Sequence, residues 1–277
     1  MEACLPDPLQ ACTENLSETD ALIRSSLDLD PAEEYKMDNK RRGLALIFNM
    51  KCFKRSQKVR HGTDVDRDNL KTRLNQLNFE VKTYNNSERA EVLDIITKAA
   101  AADHSDADCF LLVFLSHGDK DNVSTYDGEI SIQEITAQFK EDKCRSLVGK
   151  PKIFILQACR GGEYDDPVTP CAVNDREQET EEEVVEASAF HAVHAGPDSI
   201  MCYSVAEGYL SYRQHQKGSW FIQDLCELLQ NGDSLEFTKL LTKVNWKVSM
   251  RSNDSGKKQV PCFASLLTKK LYFRPKK

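Results

Sequence analysis

The 277-residue chain lacks a long hydrophobic run. Its longest, Cys109 to Leu115, is seven residues, against the roughly 20 that carry a helix across a bilayer, so no membrane partner is expected. The opening Met1-Glu2-Ala3 carries neither a basic n-region nor an apolar h-region, which predicts no secretory signal. Ten cysteines are scattered through the chain without one C-x-x-C pair, which excludes the common zinc and redox patterns. Cys109, Cys202, Cys226 and Cys262 fall in apolar stretches, where a free cysteine packs as a small core residue. A reduced, cytoplasmic protein is the simplest expectation, with the nucleus also open to it. Basic stripes with interleaved aromatics are missing too, so no nucleic-acid partner is expected.

What is present is an ordinary core-forming composition, 40% hydrophobic and 29% charged, enough for one large domain. The formal charge of −7 is unevenly spread. Residues 1–38 sum to −8 and residues 163–198 to −10, leaving the rest at +11. Two acidic segments flank or interrupt a basic body.

Along that body, strand-like and helix-like patterns alternate. Buried strands are expected at Gly43–Phe48, Cys109–Leu115, Lys152–Leu156 and Ile200–Val205, with an alternating one at Phe79–Tyr84 and a last one at Val260–Leu267. A helix capped by Asp66 or Thr63 carries Leu70, Leu74 and Leu77, and Ser87 opens another. Tyr126-Asp127-Gly128-Glu129 signals a tight turn. Ser131-Ile132-Gln133-Glu134 reads as a capping box, with Ile130 and Ile135 as its hydrophobic staple. Helices Ile222–Leu229 and Phe237–Val248 follow. This is an α/β domain with a mostly parallel sheet, interrupted at 163–198 by a patternless insert of the kind that is a linker or functional.

Two strands end in chemistry. His117-Gly118 and Cys159-Arg160-Gly161 lie at carboxyl ends, where open parallel sheets bind ligands. A thiol and an imidazole there suit a nucleophile and its acid/base partner, and backbone N–H groups at 118 and 159 suit an oxyanion. A lone cysteine after a buried strand is otherwise a core residue. The string Gln157-Ala158-Cys159-Arg160-Gly161 matches the Q-A-C-[RQG]-G signature, with a histidine upstream.

From about residue 31 to the C-terminus the chain resembles the caspases, cysteine-aspartic proteases. Besides the signature, the resemblance rests on Asp30–Asp38, Ser146–Lys152, Cys202–Gly208 and Gly256–Ser265. It implies a three-layer αβα sandwich whose central, mostly parallel sheet is shared by a large and a small subunit. It implies Cys159 as nucleophile, His117 as its partner, and Gly118 with Cys159 as oxyanion donors. Arg60, Gln157 and Arg213 fall on the primary pocket, and Trp220 on the more distal subsites. Tyr212, beside Arg213, stands where the family varies. No cofactor or metal is implied.

An executioner-type member made as a zymogen in apoptosis is expected, with a pro-region at 1–20, a large subunit at 21–175, a linker at 163–198 and a small subunit at 187–277. Its partners would be protein substrates with exposed Asp-containing loops, an upstream activating protease, and a second copy paired through the last strand. Asp20 and Asp175 resemble processing sites. Glu186 stands where such members are expected to carry an aspartate. The alternatives are a catalytically silent, caspase-like scaffold or decoy, and a relative cutting after Arg or Lys, whose primary pocket would be acidic rather than basic.

Overall fold

The computed structural model describes residues 34–54, 57–119, 121–158, 196–206, 211–230, 234–253, 256 and 258–276. Six strands form one sheet: β1 (Leu44–Asn49), β2 (Glu80–Asn85), β3 (Phe110–Leu115), β6 (Lys152–Gln157), β7 (Ser199–Tyr203) and β10 (Cys262–Ser265). Their order is β10-β7-β6-β3-β1-β2, and every neighbouring pair is parallel except β10 with β7. The four central strands are buried along their whole length. Covered on both faces, such strands read as unbroken apolar runs. Edge strand β2 alternates between exposed and half-buried positions.

The two faces collect different side chains. Ala45, Ile47, Leu111, Val113, Ile153, Ile155, Ile200 and Cys202 meet the helices α1 (Thr63–Gln76), α4 (Trp220–Gln230) and α5 (Phe237–Ser249). Leu46, Phe48, Phe110, Leu112, Phe114, Phe154 and Met201 meet α2 (Arg89–Ala101) and the short α3 (Ile132–Thr136). The result is the expected three-layer αβα sandwich. A small hairpin, β4 (Asn122–Ser124) and β5 (Glu129–Ser131), turns at Tyr126–Gly128 as expected, with the Thr125 amide donating to the Gly128 carbonyl.

Local signals near helix starts held unevenly. Ser131 caps α3 by accepting from the Glu134 amide at 3.0 Å, and Ile130 and Ile135 are both buried. Neither Asp66 nor Thr63 caps α1. Its N-cap is Gly62, at φ 84°, and both polar side chains turn into the protein instead. The second helix begins after Glu88 rather than at Ser87, which is buried and gives its carbonyl to the Tyr126 amide. Of the cysteines expected in the core, Cys109, Cys202 and Cys226 are buried, and burial pushes their thiols up. Cys262, on edge strand β10, is half-buried.

A buried charge cluster closes the end of the sheet where β1 and β3 begin. Asp108 is fully buried and takes Arg42 Nη1 at 3.2 Å, Lys276 Nζ at 2.5 Å and the Asn39 amide at 2.8 Å. It therefore joins the entry to β1, the entry to β3 and the C-terminal segment. Removing one member of a buried ionic cluster leaves the others desolvated and uncompensated. Asp108→Ala should cost about 3–5 kcal/mol in urea unfolding; a loss under about 1 kcal/mol, the range of an exposed pair, would contradict this account.

Candidate active site

Parallel strands β1, β3 and β6 end side by side, and the backbone continues from them into the chemistry-bearing residues. The Ser116 amide donates to the Gln157 carbonyl at 3.1 Å, extending the ladder one step beyond the Leu115–Gln157 pair. His117 is the next residue on one side. On the other side come Ala158, whose carbonyl accepts from Ser204 Oγ, and then position 159. Cys159 itself lies outside the described residues, as do Asp20, Asp175 and Glu186.

The imidazole of His117 is oriented. Its Nε2 donates to the Lys58 carbonyl at 2.8 Å, and the Phe53 ring lies 5.0 Å away, centroid to centroid. A carbonyl can only accept, so in the neutral ring Nε2 carries the proton and Nδ1 is the basic nitrogen. Sequence offers no carboxylate partner for this histidine. A backbone carbonyl leaves no signature in the residue type, so the orienting group could be found only from the fold. Gly118 bridges to Val123, with His117's carbonyl taken by the Ser124 amide.

Arg60 is 1% exposed. Its amide donates to the Lys51 carbonyl, and its Nη1 to the Met50 carbonyl at 3.0 Å and to Thr63 Oγ1 at 2.8 Å. Thr63 in turn donates to Asn49 Oδ1 at the end of β1. Gln157 is equally buried, with Nε2 2.6 Å from Ser211 Oγ. Arg213 opens the two-residue strand β8 (Arg213–Gln214), which pairs with β9 (Gly218–Ser219), and its Nε donates to the His61 carbonyl at 2.8 Å. Tyr212 is held by its amide on Gln259 Oε1 and stacks on Trp220, centroids 4.8 Å apart. Trp220 is only 5% exposed beneath it, so at this position Tyr212 supplies the accessible surface.

Two chain segments far apart in sequence thus carry the arginines, and one carboxylate locks them together. Asp66 is fully buried and takes the Ser219 amide at 2.7 Å and the Ser219 hydroxyl at 2.5 Å. Gly218, at φ 84°, has no room for a side chain: a Cβ there would lie 2.2 Å from Asp66 Oδ1. Burial raises the Asp66 carboxyl above its usual range, while the Ser219 donors and the positive charges of Arg60 and Arg213 act to lower it. From sequence alone Asp66 looks like a helix cap; its place between the two arginine-bearing segments depends on a contact across 153 residues.

Residues 42–272 match the model of the caspase domain. The chain belongs to the caspase family, cysteine endopeptidases that cut after aspartate. It is 53% identical to caspase-6 of Mus musculus over 94% of this chain and 99% of that protein, and 51% identical to caspase-6 of Gallus gallus over 95% and 90%. Caspase-3 of Mesocricetus auratus is 40% identical over 86% of each. Within the family, then, the likeness is to caspase-6.

The Asp66 clamp has a pH signature. A carboxyl raised by burial contributes stability below its ordinary value of 3.8 that is lost as pH rises through the raised one. Asp66→Asn has no such proton to lose. The stability of the native protein relative to this variant, from urea unfolding, should fall as pH is raised from below 3.8; a relative stability that stays constant or rises would be inconsistent with it. Asp66→Ala, which strands both Ser219 donors, should cost about 1–3 kcal/mol.

Proposed function

We propose that His117 and Cys159 carry out acyl transfer on peptide bonds that follow aspartate. The observation that carries this reading is the Ser116–Gln157 hydrogen bond between the two strand ends, together with the Lys58 carbonyl that orients the imidazole. The Cys159 thiol passes its proton to His117 Nδ1, and the thiolate attacks the carbonyl carbon of the aspartate itself. Backbone N–H groups of Gly118 and Cys159 receive the oxyanion. His117 gives that proton to the leaving amine as the C–N bond breaks, then takes one from the water that attacks the thioester and returns it to the Cys159 sulfur as the C–S bond breaks.

Selectivity for aspartate comes from Arg60 and Arg213, each a guanidinium fork suited to a carboxylate. Gln157 supports them. Its amide can turn over without losing Ser211, because a hydroxyl serves as donor or acceptor, and the NH2 then faces the pocket. A charge-assisted hydrogen bond contributes about 1.5–3 kcal/mol. Replacing the substrate's Asp by Asn should therefore lower kcat/KM roughly 10²–10⁴-fold, and Arg60→Met or Arg213→Met should remove most of that preference. Cys159→Ala should abolish cleavage of an Asp-containing fluorogenic peptide. Equal signals from the two proteins would identify the chain as a silent scaffold.

The acidic segments fit parts that activation removes. In this reading residues 1–20 are a pro-region, 21–175 the large subunit, 163–198 the linker and 187–277 the small subunit of an executioner-type zymogen acting in apoptosis. It works on intracellular protein substrates, in the cytoplasm and the nucleus, after an upstream protease has started its processing. Edge strand β10 exposes part of a row of backbone groups that a second copy would cover, giving a dimer of large-plus-small units. Asp175 is the main linker cut and Glu186 a slow one, since glutamate keeps the charge but adds a methylene. Intact-mass analysis of self-processed protein should show cleavage after Asp175 first; complete cleavage at Glu186 with Asp175 intact would refute this order.

A further inference from the structure

Two of the chain's six histidines meet at the rim of the arginine pocket. His61 follows Arg60 just before α1, and His215 follows β8. Both are exposed, and their ring centroids lie 5.1 Å apart with the planes at 70°. The backbones beneath them are packed tightly. The His61 carbonyl holds Arg213 Nε, and a Cβ on Gly62 would lie 2.5 Å from the Gln214 carbonyl oxygen and 3.1 Å from His215 Cα. The two imidazoles are therefore presented to each other by rigid segments, and bringing them together costs little ordering.

That spacing fits a chelate. With metal–nitrogen bonds of about 2.0–2.1 Å, two imidazoles on one ion at angles between square and tetrahedral have centroids about 4.5–5.2 Å apart. We propose that His61 and His215 together bind a borderline divalent cation, such as Zn2+, Ni2+ or Cu2+, bridging the segment that carries Arg60 to the one that carries Arg213. All-imidazole donors favour these ions over Mg2+ or Ca2+. Among the described residues no group of three or more His, Cys, Asp and Glu side chains is placed to hold a metal, so water completes the coordination shell. The affinity is correspondingly below that of a closed four-ligand site, and the neighbouring guanidiniums lower it further. The site rests on the geometry of the two rings and does not depend on the protease reading.

The test uses the full chain carrying Cys159→Ala, so that the active-site thiol does not compete, titrated with Ni2+ at neutral pH in a calorimeter. His61→Ala and His215→Ala, each added to that background, should weaken the tightest binding step at least about tenfold. Combining them should bring no further loss, because either one already breaks the chelate. Ni2+ should raise the unfolding temperature of the parent and of neither variant. Asparagine replaces alanine at either position if the metal-free unfolding temperature drops. His191→Ala with His194→Ala should keep the step. A parent that binds no Ni2+, a step weakened less than about tenfold by either His61→Ala or His215→Ala, or a step lost with His191 and His194 overturns the proposal.

Discussion

The contact between Asp66 and Ser219 is the constraint on which the placement of the two arginine-bearing segments depends. A fully buried carboxylate is costly unless donors surround it, and here the donors belong to a hairpin more than 150 residues away. Because the carboxylate cannot be satisfied by its own helix, α1 and the β8–β9 hairpin are held in one arrangement. Arg60 lies three residues before α1, and Arg213 opens β8. The clamp, the His61 carbonyl on Arg213 Nε and the close approach at Gly62 and Gly218 fix the two segments that carry these arginines.

The rest of the site hangs from the sheet. In-register parallel pairing places Asn49, Leu115 and Gln157, the last residues of three strands, at one level. Whatever follows those positions must emerge at the same edge. The Lys58 carbonyl, the His117 ring and the approach to position 159 therefore share a neighbourhood without any special loop sequence. Rigidity comes from below: the central strands are buried on both faces, so their ends have little freedom to drift.

Much of this frame was legible from residue pattern. Strands covered on both faces had to be apolar, and β3 is so throughout, while β1, β6 and β7 carry polar residues only at their ends. The Ser131–Glu134 cap was legible because both of its partners are local. Asp66 is misread for the opposite reason. It resembles a cap, but its carboxylate is taken by the Ser219 donors of a distant segment. A polar residue near a helix start follows the local rule only when no buried partner from elsewhere competes for it. Trp220, which the resemblance assigns to the distal subsites, packs under Tyr212 with 5% of its surface exposed.

Sequence by itself determined the family, the order of strands and helices, and the residue types at the two strand ends, because periodicity and short motifs are local properties of the chain. Tertiary structure alone decided which carbonyl orients His117, which carboxylate joins the arginine-bearing segments, and which two histidines face each other. Those three depend on pairings between residues 59 to 154 positions apart, and only the folded sheet and its packed layers bring such positions into contact.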